Sequence, residues 1–167
     1  MKLAIASLAS GSSGNCYLVK SNTTTLLIDA GISCKQITER LCLLGISKIP
    51  NAVLITHEHS DHVKGLPALV KKGVQIYGSE GTIKGIPWDE PICANAFNVG
   101  EEFIIGDIKV STFALSHDAA DPCGYSFESD GACISIITDT GYVTKDCYYY
   151  MQKSEILVME SNHDESM

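Results

Sequence analysis

The 167-residue sequence lacks a membrane-spanning run and lacks closely spaced cysteines. A membrane-spanning helix needs roughly 18 apolar residues, and no segment approaches that length. Segment 1–10 holds one basic residue and is broken by serines, which does not fit a secretory signal peptide. The seven cysteines are an odd number and include no Cys-x-x-Cys pair. These absences predict free thiols, a cytoplasmic location and no membrane partner.

Basic residues are also scarce. Twelve Lys and Arg stand against twenty Asp and Glu, which gives a formal net charge of −8. This balance argues against a broad nucleic-acid-binding surface, because phosphate contacts usually come from clustered basic side chains. The chain has no internal repeat or long linker, and 45% of its residues are apolar. Its length and composition predict one globular domain over residues 1–167.

The alternation of apolar and turn-forming residues predicts strands first and then a mixture of strands and helices. Ser33 has the character of a helix N-cap, and Gly45 ends the segment that follows it. This order predicts an α+β protein with packed sheets and helices outside them. The predicted strands are 2–8, 15–20, 23–29, 52–56, 74–77, 102–105, 108–115, 124–128, 132–138 and 156–160, and the predicted helices are 33–45, 63–72, 80–84 and 142–153.

Metal-binding side chains are concentrated directly after the predicted buried strand 52–56. The run from His57 to His62 holds three of the five histidines of the chain. His57 and His59 are two residues apart, so in extended geometry both imidazoles point the same way and can share one cation. Asp61 and His62 follow where the chain turns into a helix, which can direct them to a second cation. Mixed imidazole and carboxylate ligands suit zinc, manganese or iron better than calcium.

This spacing resembles the His-x-His-x-Asp-His signature of the metallo-β-lactamase-fold hydrolases. Three further landmarks of that superfamily occur in order, namely Asp29 in Ile-Asp-Ala-Gly, His117 in Leu-Ser-His-Asp and Asp139 in Thr-Asp-Thr-Gly. The resemblance implies an αββα sandwich in which Asp29 orients the histidine loop without binding metal. It also implies a ligand set for two divalent ions: His57, His59 and His117 for metal one, Asp61 and His62 for metal two, and Asp139 as the bridge.

Two segments near the ends of the chain resemble the WalJ (YycJ)-like branch of the superfamily. They are 7–16, with a Ser-Gly-Ser-Ser-Gly-Asn loop, and 160–164, with Glu160. The resemblance implies a cytoplasmic 5′–3′ DNA exonuclease that attacks a phosphodiester with a metal-bridged hydroxide. Glu160 is similar to an acidic residue that lies near the site in related nucleases. The loop would offer backbone N–H groups and hydroxyls to a phosphate through Ser10, Gly11, Ser12, Ser13, Gly14 and Asn15.

The catalytic acid and the second metal are less well defined by the sequence. Asp61 and His163 are the candidate catalytic residues, and Asp164 or a metal-bound water are alternatives for protonating the leaving group. The family pattern continues to a later histidine, in a Gly-His-Leu-Ser-Asn-like motif, that completes metal two. Residues 1–167 do not contain it. We therefore expect a weak second metal site and an αββα sandwich that lacks the C-terminal part of its second half.

Three functions remain open on the sequence alone. The first is a phosphodiesterase or DNA exonuclease. The second is a small-molecule thioesterase or lactonase of the same fold, which the acidic composition without an aromatic stacking platform favours. The third is a weakly active remnant that still binds metal. We also expect the uncovered edge strand 156–160 to favour a homo-oligomer, because unpaired strand groups invite another chain.

Overall fold

The computed structural model describes residues 3–88 and 92–160. Within these ranges, eleven strands form a six-stranded sheet of order β1-β2-β3-β4-β5-β6 and a five-stranded sheet of order β11-β10-β9-β8-β7. The strands are β1 Ala4–Ala9, β2 Cys16–Lys20, β3 Thr25–Ile28, β4 Ala52–Ile55, β5 Gln75–Ser79, β6 Ala94–Phe97, β7 Glu102–Ile105, β8 Ile108–Ala114, β9 Cys123–Ser129, β10 Ala132–Ile137 and β11 Ile156–Met159; the helices are α1 Cys34–Leu43, α2 Ser60–Val63, α3 Leu66–Val70, α4 Glu80–Gly85 and α5 Lys145–Lys153.

Three apolar clusters separate four layers of secondary structure. Between the sheets, Leu54 of β4 is buried in one cluster with Tyr125 and Phe127 of β9. On the outer face of the first sheet, Ile37 of α1 is buried with strand residues of that face. On the outer face of the second sheet, α5 packs against β8 and β10. The chain is therefore an α+β sandwich with αββα layers, as its sequence predicts.

The prediction of one continuous helix over 63–72 is wrong. The chain instead makes two short helices, α2 and α3, that meet at Gly65. The N–H of Gly65 donates to Ala30 O at 2.7 Å, and a Cβ at this position would lie 2.4 Å from Ile32 O. The backbone at Gly65 therefore packs closely against the loop after β3. The spacing of apolar residues in the sequence contains no sign of this contact.

Other boundaries agree more closely with the sequence. Ser33 and Gln36 form the capping box of α1, so the predicted N-cap is confirmed. Helix α5 begins at Lys145, later than the predicted residue 142, because Thr144 accepts a hydrogen bond from Cys147 N and caps it. Strand β6 was not predicted, since its sequence Ala-Asn-Ala-Phe has no β-branched residue.

The ends of strands bring the predicted site residues to one region of the sandwich. Strands β3 and β4 are parallel neighbours, and Asp29 and His57 follow their carboxyl ends. His117 follows β8, and Asp139 follows β10. The two sheets are tied together here, because Cys123 N donates to Thr56 O at 3.0 Å. Residues distant in sequence therefore meet at one end of the molecule.

Strand β11 forms one edge of the second sheet. It pairs in parallel with β10, and no strand within the described residues pairs with its other side. Ile156, Leu157 and Met159 are exposed in this strand. The edge that the sequence predicts is therefore present, while self-association through it stays a prediction.

Candidate metal centre

Three imidazoles form the first part of the site. His57 and His59 leave the end of β4, and His117 reaches them from the loop after β8. One ring nitrogen of each lies within 4.8 Å of the others, and His117 Nε2 is 3.3 Å from His59 Nδ1. His57 is buried, whereas His59 and His117 are half-buried. The three residues predicted for metal one are thus brought together.

A second cluster surrounds His62. Ligand atoms of His57, His62 and Asp139 also lie within 4.8 Å of one another. His62 Nε2 is 3.3 Å from Asp139 Oδ2 and 3.5 Å from Asp61 Oδ2. His57 therefore borders both clusters, and Asp61 lies at the edge of the second, closer to solvent than His62.

The Asp29 carboxylate contacts His62 and Thr56, the residue directly before the histidine run. Its Oδ2 lies 2.8 Å from His62 Nδ1, and its Oδ1 accepts from Thr56 N at 2.8 Å. Asp29 and Asp139 both adopt positive φ, at 61° and 52°, a region that few residues other than glycine occupy. Strained backbone at two carboxylates of one cluster is typical of a functional site.

Thr56 is a site residue that the sequence argument missed. Its Oγ1 donates to Asp29 Oδ2 at 2.9 Å and lies 3.0 Å from His57 Nδ1 and 3.3 Å from His62 Nδ1. Thr56 is fully buried, and these contacts satisfy the hydrogen-bonding capacity of its hydroxyl. The available signal was a polar residue ending an otherwise apolar strand, directly before His57.

The electrostatics of the cluster favour positive charge at His62. The pKa of His57 is lowered by burial and by the positive charge of His62. Burial also opposes protonation of His62, but the charges of Asp29 and Asp139 outweigh it and raise the pKa of His62. Burial opposes ionisation of Asp139, yet its contact with His62 lowers the pKa of Asp139. The carboxylates around His62 therefore favour a positive charge at this position.

This donor set fits divalent cations. When His62 donates through Nδ1 to Asp29, a neutral ring presents the Nε2 lone pair to Asp61 and Asp139. The Asn15 amide Nδ2 lies 3.1 Å from His62 Nε2 and is one donor here, and a cation between this nitrogen and the two carboxylates would stabilise their close approach further. Asp139 Oδ2 is buried, and within residues 3–88 and 92–160 it accepts no well-aligned hydrogen bond. A cation would satisfy it, and a neutral imidazole is the form that binds metal.

The predicted serine- and glycine-rich loop lies against the histidine loop. Asn15 N donates to Asp61 O at 2.8 Å, and Gly31 N donates to Asn15 O at 2.7 Å. A Cβ on Gly31 would lie 1.6 Å from Asp61 O, so only glycine permits this approach. The Asn15 side-chain Nδ2 lies 3.1 Å from His62 Nε2. The loop is therefore part of the site and not a detached turn.

Three of the candidate ligands, Asp61, His117 and Asp139, open onto a cleft of about 430 Å³. Glu160 lines it, and its Oε2 accepts from Asp139 N at 3.3 Å. Burial and the negative charge of Asp139 raise the pKa of Glu160. The sequence-predicted residues His163 and Asp164 lie outside the described residues. The remaining lining consists of Gly11, Ser12, Asn15, Asp61, His117, Asp139, Thr140 and Gly141.

The αββα layers and the histidine-aspartate cluster define a class of protein, and comparison with known families agrees with it. Residues 24–167 match the family described as Beta-lactamase superfamily domain. The chain belongs to this superfamily. The metallo-β-lactamase fold implies divalent metal ions, typically zinc, at a histidine-rich site of this kind.

Relatives place the chain in the WalJ-like branch. It is 40% identical over its full length to a Bacillus anthracis protein named Exodeoxyribonuclease YycJ, and covers 66% of that protein. It is 36% identical over 94% of its length to Exodeoxyribonuclease WalJ of Streptococcus pneumoniae, and covers 61% of that protein. The chain thus spans a little less than two thirds of the length of these two relatives.

Solved structures share the fold. The metallo-β-lactamase fold protein YhfI from Bacillus subtilis aligns with a TM-score of 0.76 at 14% identity, over all of this chain and 74% of that one. A B3 metallo-β-lactamase with an active-site glutamic acid aligns with a TM-score of 0.72 at 16% identity, over 93% of this chain and 74% of that one. In the part of the chain that the structure describes, no helix is long and apolar enough to cross a membrane.

Proposed function

We propose that the chain is a metal-dependent phosphodiesterase that acts as a 5′–3′ DNA exonuclease. The observation that carries this proposal is the cleft where the histidine-aspartate cluster meets the Ser10–Asn15 loop. Two relatives that bear exodeoxyribonuclease names support the substrate class. Seven unpaired cysteines support a cytoplasmic location.

In the proposed ligand set, His57, His59 and His117 hold the first cation. Asp61 and His62 hold the second, and Asp139 serves both. Bound zinc, manganese or iron would supply a nucleophile at neutral pH and would stabilise charge on the attacked phosphate. The second site is the weaker one, because Asp61 lies at the edge of its cluster and Asp139 is shared.

The protein residues position these ligands and the substrate. Asp29 keeps a proton on His62 Nδ1, so that Nε2 faces the cleft side of the cluster. Thr56 holds both Asp29 and His57 in place. Ser12 lines the cleft and is exposed, and within the described residues its backbone N–H donates to no protein acceptor. This N–H group would donate to a substrate phosphate.

The acid that protonates the leaving group is a separate proposal. Asp61 is half-buried at the cleft, and Glu160 lines the same cleft with a raised pKa. His163 remains the histidine candidate from the sequence. A pH–rate profile of His163→Ala tests it, since loss of the acid should remove the alkaline limb of the profile.

The experiment that tests the proposed function compares substrates with the purified chain and Mn²⁺. Single-stranded DNA labelled at its 5′ end should release labelled mononucleotide at once, while DNA labelled at its 3′ end should shorten progressively. A thioester and a lactone should be turned over much more slowly. Hydrolysis of the thioester or lactone without DNA cleavage would contradict the proposal.

A further inference from the structure

A second cleft lies across the Ser10–Asn15 loop from the metal-binding residues. Gly11, Ser12 and Asn15 line the cleft above the metal centre. Ser10, Ser13 and Gly14 of the same loop line a different cleft of about 270 Å³. The loop is therefore a wall shared by two clefts. We call the second one the Arg40 cleft, after the arginine that lines it.

The Arg40 cleft is basic in an acidic protein. Arg40 and Lys64 both line it, and none of the aspartates and glutamates that the structure describes does. Arg40 is the only arginine in the 167-residue sequence. Within residues 3–88 and 92–160, neither basic side chain forms an ion pair with a carboxylate. Two uncompensated positive charges thus face one small cleft beside the proposed catalytic site.

A β-bulge positions the arginine. The pairing of β1 with β2 shifts between Ser7 and Ala9, so Leu8 is an extra residue that has no partner in the ladder. The Leu8 carbonyl accepts from Arg40 Nη1, which anchors the guanidinium beside the loop. A guanidinium has five N–H donors, so this bond leaves others for a ligand.

Lys64 ties the same cleft to the metal centre. It follows α2 directly and comes two residues after His62. Lys64 is exposed, and its backbone N–H donates to Ser60 O at 3.2 Å. Ser13 adds an exposed hydroxyl and a backbone N–H that donates to no acceptor in the described part of the chain. The cleft is thus rich in donors and suits an anion.

We propose that the Arg40 cleft binds a second phosphate of the nucleic-acid substrate, next to the phosphate held over the metal centre. This inference rests on the proposed function. A guanidinium fork matches the geometry of phosphate oxygens, and an ammonium adds a second charge. Because the loop is shared, its two faces would hold neighbouring phosphates of one strand. The phosphate is either an internal one or a terminal 5′-phosphate.

The test measures binding and cleavage of single-stranded oligonucleotides by Lys64→Gln and Arg40→Lys. Lys71→Gln is the matched control, since Lys71 is exposed and lines neither cleft. Binding is followed by fluorescence anisotropy in Mn²⁺ with phosphorothioate-linked oligonucleotides, which resist hydrolysis. Lys64→Gln should raise Kd about fivefold and reduce the slope of log Kd against log salt by about 0.7, the value for one phosphate contact on a single strand. Lys71→Gln should change neither quantity.

Arg40→Lys keeps the charge and loses the fork, so it should raise KM for the oligonucleotide more than it changes kcat. Both variants should lose more kcat/KM on the oligonucleotide than on bis(p-nitrophenyl) phosphate, which carries one phosphate. If kcat/KM falls only for oligonucleotides that carry a 5′-phosphate, the bound group is the terminal phosphate. If kcat/KM falls equally for oligonucleotides that lack a 5′-phosphate, the bound group is an internal phosphate. Thermal melting shows whether each variant is folded.

Equal effects of Lys64→Gln and Lys71→Gln on Kd and on the salt slope would overturn the inference, since they would reflect overall charge alone. That outcome would leave the proposed function intact if the wild-type chain cleaves DNA. Failure of the wild-type chain to cleave either phosphodiester would instead count against the proposed function, and the anisotropy comparison would still report on the cleft.

Discussion

Nδ1 of His62 lies 2.8 Å from Oδ2 of Asp29, and both side chains are buried. This contact fixes the orientation of the imidazole, so that Nε2 faces Asp139 at 3.3 Å and Asp61 at 3.5 Å. Asp29 itself is held by Thr56 through two hydrogen bonds. In the proposed metal centre, this carboxylate would act through His62, as a positioning residue.

Asp29→Asn should weaken metal binding roughly 10- to 100-fold, the range typical of changes to residues that orient ligands. Asparagine tolerates the positive φ of this position, so the backbone need not change. Calorimetric titration with Zn²⁺ measures the effect. Asp130→Asn is the control, because Asp130 also has positive φ, at 51°, in the β9–β10 turn. Complete loss of metal in a folded Asp29→Asn protein would make Asp29 a ligand instead.

Thr56→Val should lower the free energy of unfolding by about 1–3 kcal/mol, because it leaves buried partners without the hydroxyl. It should also weaken metal binding, since His57 and Asp29 both contact Thr56 Oγ1. Urea denaturation measures the first effect. Thr38→Val is the control, because its hydroxyl bonds to Cys34 O on the exposed face of α1. Equal stabilities of the two variants would show that Thr56 has no special role.

Much of this site could be predicted from the sequence because its donors are local or lie at recognisable strand ends. His57, His59, Asp61 and His62 share one short run, and the structure brings that run beside His117 and Asp139. Thr56 could not be predicted, since its role depends on a three-way contact formed only after β3 and β4 pair. Arg40 was missed because its position depends on a bulge 32 residues earlier.

In the fold, too, features set by local sequence could be predicted, and features set by distant contacts could not. The turn residues Gly106-Asp107 and Ser129-Asp130-Gly131 separate the predicted strands 102–105 from 108–115 and 124–128 from 132–138, and each of these two pairs forms an antiparallel hairpin in the structure. The break between α2 and α3 depends on contacts of Gly65 with the distant loop after β3, which local patterns do not contain. The family resemblance supplied the αββα layering, and the packing of three apolar clusters confirms it.

Gly31→Ala should disrupt the site, because the new Cβ would lie 1.6 Å from Asp61 O and 2.5 Å from Asn15 N. The two loops would have to separate, and we expect a loss of about 3 kcal/mol in the free energy of unfolding together with weaker metal binding. Gly45→Asn is the control, since Gly45 has positive φ at the end of α1 and no atom within 4 Å. Unchanged stability and metal affinity in Gly31→Ala would contradict the close loop contact.

Self-association through β11 should fall when a charge is placed on its edge. Ile156→Lys should shift the protein toward monomer in sedimentation velocity at increasing concentration, since lysine on an edge strand opposes pairing with another chain. Leu43→Lys, on the exposed face of α1, is the control and should leave the distribution unchanged. A wild-type protein that stays monomeric at every concentration would sink this prediction.

The metal content of His59→Ala tests the central claim most directly. His59 is half-buried and belongs to the three-imidazole cluster. Its replacement by alanine should remove one ligand of the first metal site without leaving a cavity in the hydrophobic core. Elemental analysis of the wild-type chain and of His59→Ala, loaded under the same conditions, should show clearly less bound metal in the variant. Its hydrolysis of DNA should be abolished. Unchanged metal content in a folded His59→Ala protein would contradict the assignment of the cluster as a metal centre.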